Sequence, residues 1–423
     1  MPSEEIEVLV VGGGQAGLAM SRHLSEYAIP HLVVERYRIA ERWRSERWDS
    51  LVANGPAWHD RFPDLEFSDV DPDGFPSKEQ VADYFVAYAQ KIAAPIRCGV
   101  EVTSVRRNST RPGFRVETSN GTIETRFVVA ATGPFQRPVI PPIARQDSAV
   151  QLQIHSSAYR NPEQLPTGDI LVIGAGSSGV QIASELQQSG RHVYLSIGPH
   201  GRPPRRYRGR DYVWWLGVLG RWDAVAPPSG AEHVTIAVSG AGGGTTVDFR
   251  ALAATGITLV GRTTSFEHGK AQFAPDLAEN IANGDVDYLG LLDAADAYIA
   301  LHGLDLPGES CARVLGPDPQ CVTHPLLELD LSAAGVTSII WATGYTVDFD
   351  WLQVDAFDEN GNPKHHRGVS SERGVYFLGL PWLSQRGSSF IWGVWHDARY
   401  LADHIAIQRN YLAYRNTGRA STV

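Results

Sequence analysis

Two glycine-rich turns carry the most legible chemistry in this chain. Gly12-Gly13-Gly14-Gln15-Ala16-Gly17 follows the apolar run Val8 to Val11, and Gly174-Ala175-Gly176-Ser177-Ser178-Gly179 follows Ile170 to Ile173. Each reads as strand, tight turn and helix start. That geometry sets backbone N–H groups and the positive end of a helix against a pyrophosphate. One such turn is a weak signal. Two in one chain, each in strand-to-helix context, point to two dinucleotides on one polypeptide, the layout of a flavoprotein that takes hydride from a nicotinamide.

The residues that follow each turn differ in charge. After the first, the run His31 to Val34 ends at Glu35, placed to hydrogen-bond an adenosine ribose 2′-hydroxyl and to repel a 2′-phosphate. That site suits FAD or NAD. After the second, the run His192 to Ile197 ends at Ser196, Ile197 and Gly198 with no acid, and Arg202, Arg205, Arg206, Arg208 and Arg210 follow. Guanidinium forks beside a missing acid favour a 2′-phosphate, hence NADPH. The other reading of these arginines is a solvated surface loop.

Bulk composition narrows the class. At 423 residues the chain has room for two or three domains, and 43% hydrophobic with 20% charged residues is ordinary for a globular enzyme. A net charge of −10 argues against a nucleic-acid partner, which requires a basic face. Cys98, Cys311 and Cys321 are isolated, with no C-x-x-C, so the redox-active disulfide of many two-dinucleotide flavoproteins is missing and a reducing compartment is expected. A strand begins within the first few residues, leaving no space for a signal peptide, and no apolar run is long enough to span a bilayer. The expected location is the cytoplasm. No H-E-x-x-H or comparable spacing implies a metal, and the adjacent His365 and His366 cannot face one ion; they are expected at the surface.

The elements that must position these turns can be placed coarsely. A first α/β unit covers 6–40, and 41–70, rich in Trp, Arg and Pro, reads as loop. Ser77 with Glu79 and Gln80 predicts a helix start, with Val81, Tyr84, Phe85 and Tyr88 at helical spacing. Strands are expected through 100–130, including Val102, and Pro-rich 134–142 marks a crossing between domains. The second unit is 168–198. A Gly-rich hairpin is expected at Ser239 to Thr246, helices at Leu277 to Leu301 and 393–414, and strands at Ser338 to Ala342 and Val375 to Leu378. The fold expected is α/β, with two Rossmann-like dinucleotide-binding domains, the NAD(P)-binding one (151–325) inserted into the FAD-binding one (1–150 and 326–423).

Further motifs carry a resemblance. Ala131-Thr132-Gly133 and Trp341-Ala342-Thr343-Gly344-Tyr345 close two strands, and His155-Ser156-Ser157-Ala158-Tyr159-Arg160 lies between the glycine turns. With Trp43-Arg44, Arg47-Trp48-Asp49-Ser50-Leu51, Asn54-Gly55-Pro56, Gly374 to Gly379 and Arg386 to Phe390, the chain resembles the class B flavin monooxygenases along nearly its whole length. It departs from them in three places. The family's F-x-G-x-x-x-H has Ala149 and Gln151 for Phe and Gly. Tyr159-Arg160 stands where Baeyer–Villiger enzymes carry Trp-Pro or Trp-Asp, which tilts towards heteroatom oxidation. Gly198 stands where an arginine is common, so NADPH selectivity would rest on Arg202, Arg205 or Arg206 and NADH becomes an alternative.

The resemblance implies FAD, NADPH and O2 as co-reactants, with a C4a-hydroperoxyflavin delivering oxygen to a soft N or S centre of a small organic substrate. The family's active-site Asn aligns with Asn54, the candidate catalytic side chain; the alternative is an ordinary Asn-Gly turn. Candidate contacts around the first turn are Gly12, Gly14, Gln15, Ala16, Gly17, Glu35, Arg36, Arg42, Trp43, Trp48, Val102 and Thr132. Around the second they are Gly174, Gly176, Ser177, Ser178, Gly179, Gln181, Ser196, Arg202 and Arg205, with Thr343 and Gly344 at the later turn. Trp43 and Trp48 either pack on the flavin or fill the core. His155 and Tyr159 are expected to tie the domains together. The apolar stretch Tyr212 to Trp222 has three readings: a substrate channel, a membrane-dipping loop or interface packing. Baeyer–Villiger oxidation, flavin-dependent reduction without oxygenation and a non-catalytic redox sensor remain as rivals. A homodimer is compatible with the sequence, which does not set the oligomeric state.

Overall fold

The computed structural model describes residues 3–143, 150–226 and 236–417. Ala149, one of the departures named above, lies outside the described residues. The first glycine turn joins β1 (Glu4–Val11) to α1 (Gln15–Glu26), which returns through β2 (His31–Glu35). The short helix α2 (Glu41–Ser45) interrupts the expected loop. Ser77 caps α3 (Lys78–Lys91) with a full capping box to Gln80, as its sequence implies. Strands β3 (Ile96–Cys98), β4 (Val102–Arg107), β5 (Phe114–Thr118) and β6 (Gly121–Ala130) follow. β1 lies between β6 and β2, parallel to both. Val8, Leu9 and Val10 are wholly buried there, because a parallel sheet is covered on both faces and its strands read as continuous apolar runs.

The chain leaves this sheet through β7 (Arg137–Pro138) and enters a second one at β8 (Leu152–His155). There β9 (Asp169–Ile173), the second glycine turn, α4 (Ser177–Gln188) and β10 (Val193–Ser196) repeat the first unit. Next come α5 (Tyr212–Val218), β11 (Thr258–Val260) and the long α6 (Leu277–His302). β12 (Val336–Trp341) completes a five-stranded parallel sheet in the order β11-β10-β9-β12-β8. The expected domain boundary at 325/326 is therefore corrected: β12 belongs to the second sheet, between β9 and β8. An apolar strand reads the same whichever sheet it joins, so its pattern could not decide this. The return crossing is β13 (Tyr345–Thr346), paired antiparallel with β7, so the two crossings form one two-stranded strap. β14 (Val375–Phe377) then pairs with β6, and α7 (Ile391–Thr417) buries Val394, Ala398, Leu401 and Ile405 in the first core.

Two further expectations change. Ser239 to Thr246 is not a hairpin; it holds a four-residue turn, Ala241–Gly244, with Gly242, Gly243 and Gly244 all at positive φ. A Cβ on Gly240 would lie 2.2 Å from the Ala53 carbonyl, so the segment docks on the 53–75 loop of the other domain. The stretch Tyr212 to Trp222 is mostly helix, with Tyr212, Val213, Trp215, Leu216 and Trp222 buried. Its side chains pack with Tyr288, Leu291 and Leu292 of α6. Burial of each large side chain stabilises by roughly 1.5–3 kcal/mol, which ties this stretch to α6, with Trp214, Val218 and Leu219 half-buried against the same cluster. Among the described residues, no helix is long and apolar enough to cross one.

Candidate functional site

A cleft of about 810 Å³ runs between the two sheets. One end is formed by the first glycine turn. Gly12 has φ +116°, and a Cβ there would meet the Ala131 carbonyl at 2.5 Å; one on Gly17 would lie 1.9 Å from the Gly12 carbonyl. Gly14 faces open space at the start of α1, where an approaching phosphate meets free N–H groups. Glu35 accepts hydrogen bonds from the backbone N–H groups of Gly13 (2.7 Å) and Tyr37 (2.9 Å), which clamp its carboxylate at the cleft wall. Arg36 stacks over Tyr37 at 4.7 Å. Of the candidate contacts around the first turn, Gly12, Gly14, Gln15, Ala16, Glu35, Arg36, Arg42, Trp43, Val102 and Thr132 line this cleft. Trp48 does not. It is buried in the second domain's core, which selects the core-filling alternative for that side chain.

The second turn repeats the backbone geometry. Gly174 has φ +113°, and a Cβ on Gly179 would lie 1.8 Å from the Gly174 carbonyl. Gly176 caps α4, and Ser177 donates to the Ile236 carbonyl at 2.9 Å while lining the cleft; Ser178 is half-buried beside it. Ser196 points elsewhere: its buried hydroxyl donates to the Gly261 carbonyl (3.0 Å) and accepts from the Thr263 N–H (3.0 Å). Thr343 and Gly344 lie at the strap. Thr343 donates to the Val139 carbonyl, and Gly344 accepts from His155 Nε2 at 2.9 Å.

Because that carbonyl can only accept, His155 carries its proton on Nε2, leaving Nδ1 to accept the Ser157 N–H at 3.1 Å. Burial lowers the His155 pKa below the ordinary histidine value, and nearby Arg47 adds to this. His155 is a neutral tie at the crossing. Tyr159 plays a similar part by donating to Glu185 at 2.7 Å, whose other oxygen accepts from Ser50 of the first domain.

The arginines change most. Neither Arg202 nor Arg205 is a solvent-facing phosphate fork, and neither belongs to a solvated loop. Arg202 is 2% exposed and donates to Asp285 through Nε (3.0 Å) and a terminal nitrogen (2.6 Å). Asp285 also receives Arg250 at 2.8 Å. Arg205 is 1% exposed, pairs with Asp211 through two nitrogens, and donates to the Asn54 backbone carbonyl. Their partners account for both. Arg202 finds its acid on α6, far along the chain, and Arg205 finds one within its own turn. Asp285→Ala strands a buried guanidinium and is expected to cost about 3–5 kcal/mol of stability. Denaturant unfolding read at the second domain checks this, and a loss below about 1 kcal/mol would contradict a buried pair.

Asn54 sits where the domains meet. Gln181 Nε2 donates both to the Val238 carbonyl (3.0 Å) and to Asn54 Oδ1 (2.9 Å). The Val238 oxygen can only accept, so it fixes which atom of the Gln181 amide faces it. Gln181 in turn fixes Asn54, leaving the Asn54 amide to present Nδ2–H donors to the cleft it lines. Arg205 holds the same residue from behind through its backbone carbonyl. Beyond Asn54 the wall is Tyr212, Val213, Leu216, Trp222, Phe390 and Ile391, so Tyr212 to Trp222 supplies both interface packing and cleft lining.

Sequence reading missed two charged residues of this end. Asp60 carboxylate packs where a Cβ on Gly55 would fall, and it accepts a hydrogen bond from His59 Nδ1–H at 2.8 Å. Arg386 donates to the Tyr212 hydroxyl at 3.2 Å. Only the match of its surrounding stretch to the family hinted at Arg386, and nothing in the spacing marked Asp60. Among the described residues, no group of three or more His, Cys, Asp or Glu could hold a metal ion. His365 is half-buried and His366 exposed.

Known proteins match this arrangement. Residues 9–212 fit a family model described as pyridine nucleotide-disulphide oxidoreductase. An uncharacterized CzcO-like oxidoreductase of Geobacillus kaustophilus is 34% identical over 404 residues, 95% of this chain and 98% of its own. A probable indole-3-pyruvate monooxygenase of Arabidopsis thaliana is 30% identical over 192 residues, 45% of this chain and 46% of its own. In structure, a flavin-containing monooxygenase from Stenotrophomonas maltophilia superposes with a TM-score of 0.66 at 18% identity, covering 96% of this chain and 99% of that one. OTEMO, solved with FAD and NADP, gives 0.57 at 16% identity, covering 98% and 87%. With its two dinucleotide folds and this near full-length likeness, the chain belongs to the CzcO-like oxidoreductases.

Proposed function

We propose that the protein is a monooxygenase that binds FAD at the Gly12–Gly17 turn and NADPH at the Gly174–Gly179 turn, with NADH as the alternative donor. In this reading it oxygenates a soft N or S centre of a small organic substrate. FAD, when bound, supplies the relay of two electrons from the nicotinamide to O2. One oxygen atom goes to the substrate and the other leaves as water. The residues of the first turn fit the flavin nucleotide: Glu35 is clamped to receive a ribose hydroxyl, and Gly14 leaves space for a pyrophosphate.

One observation carries the reading. Asn54 presents oriented N–H donors where the two nucleotide folds meet, in a cleft whose far wall is apolar. A fixed amide donor supports developing negative charge on an oxygen without titrating near neutral pH. Val213, Leu216 and Trp222 present apolar surface beside the charged Asp60 and Arg386, which limits water around activated oxygen and so its loss as peroxide.

The test is a stoichiometry. With a thioether or tertiary amine substrate, the holoenzyme should consume NADPH and O2 in equal amounts, form oxygenated product in proportion and release little hydrogen peroxide. Ketone substrates should give no ester. Complete conversion of the consumed O2 to hydrogen peroxide with every substrate would instead identify a reductase.

A further inference from the structure

We propose that Arg262 is the residue that recognises the adenosine 2′-phosphate of the nicotinamide cofactor. The proposal rests on the NADPH reading above and names the group on this chain that would confer it. Gly198, just past the end of β10, has no side chain, Arg202 and Arg205 are consumed by Asp285 and Asp211, and exposed Arg206 donates to the Asp73 carbonyl of the first domain at 3.4 Å. A guanidinium must come from elsewhere, and the sheet brings one.

β10 pairs in parallel with β11, Ser196 opposite Val260, and the Ile197 N–H donates to the Val260 carbonyl at 2.9 Å. The end of β11 therefore lies beside the end of β10, the edge at which a ribose 2′ position is read in this type of fold. Past Val260 the chain turns sharply at Gly261, where a Cβ would strike the Ala274 carbonyl at 2.0 Å. Arg262 emerges from that turn alongside Gly198, its Cγ and Cδ each 4.0 Å from the place where a Gly198 Cβ would stand. The side chain thus overhangs the gap left by the missing residue.

The backbone of Arg262 is pinned. Its N–H donates to Asp276 Oδ1 at 3.0 Å, and its carbonyl accepts from Ala274 at 2.9 Å. Its head is not. The side chain is 66% exposed, and among the described residues its one charged partner within 4 Å is Asp276 Oδ2, 3.8 Å from Nε and beyond hydrogen-bond reach. Among the described residues the guanidinium makes no hydrogen bond. A fork that is anchored at its base and free at its tip suits bidentate contact with a phosphate.

Binding of nucleotide fragments to the FAD-loaded protein tests this without turnover. By isothermal titration calorimetry, the wild type should bind 2′,5′-ADP roughly 10- to 100-fold more tightly than 5′-AMP, the span expected of a charge-assisted pair. Arg262→Ala should remove that preference while leaving 5′-AMP affinity within about twofold. Adding Gly198→Arg to the Arg262→Ala variant should restore it, since the two positions address one place. An Arg262→Ala protein that keeps the wild-type ratio overturns the role of Arg262 and leaves the NADPH reading standing. A wild type with no preference between the fragments overturns the NADPH reading, and this proposal with it.

Discussion

Gly179→Ala, the addition of one methyl group, is expected to slow flavin reduction by pyridine nucleotide about a hundredfold while leaving FAD bound. The added Cβ would stand 1.8 Å from the Gly174 carbonyl oxygen and 3.3 Å from the Ala342 Cβ. Neither neighbour can yield cheaply. Gly174 is fixed by its own φ of +113° and by its N–H donating to the Ser196 carbonyl, and Ala342 is tied to Ile173 in the sheet. The first turn of α4 must therefore lift away from β9, which removes the N–H groups aligned on the pyrophosphate. Loss of about 3 kcal/mol of binding and alignment corresponds to roughly a hundredfold slower reduction. Stopped-flow reduction by NADPH measures this, with dithionite reduction and bound FAD as controls, because the first glycine turn lies on a separate sheet. Reduction at the wild-type rate would show that the second turn does not hold the pyridine nucleotide. Gly17→Ala makes the complementary case: its Cβ would lie 1.9 Å from the Gly12 carbonyl, and the expected loss is FAD itself.

Those backbone sites were legible in the sequence because their constraint is local. A glycine needed for φ above zero, or for contact with a carbonyl five residues away, declares itself at fixed spacing. Ser77 and its capping box were legible for the same reason. What failed depended on distant partners. The charge of Arg202 suggested a phosphate, yet its carboxylate is Asp285, and no local pattern shows that α6 folds back over it. β12 was read correctly as a strand and assigned to the wrong sheet, since apolar strands in parallel sheets look alike. Trp48 matched a flavin-lining motif but turned into the neighbouring core, carried there by a loop anchored through the Asp49 N–H to the Arg160 carbonyl. Arg262 lies in no motif at all. Only the pairing of β10 with β11 brings it to the ribose edge.

Asn54 combines both situations. Its place in the Asn-Gly-Pro motif was visible, but its working orientation is set from the other domain by Gln181. Asn54→Ala is expected to leave FAD content and the rate of flavin reduction near wild type and to turn most NADPH consumption into hydrogen peroxide. Removing one preorganised donor to an oxyanion costs on the order of 10²–10³ in rate, enough for peroxide loss to overtake oxygen transfer. Gln181→Glu separates orientation from presence. A carboxylate there repels the Val238 carbonyl and cannot donate to Asn54 Oδ1, so the Asn54 amide is expected to rotate, giving its N–H groups to the new acid and turning its carbonyl into the cleft. The variant keeps every atom of Asn54 yet should uncouple almost as fully as Asn54→Ala, whereas Gln181→Leu, which leaves the amide free to turn, should fall between. Hydrogen peroxide formed per NADPH consumed, measured beside an unchanged rate of flavin reduction, distinguishes this from general damage to the fold. Full coupling in Gln181→Glu would mean that the donor role belongs to another group in the cleft.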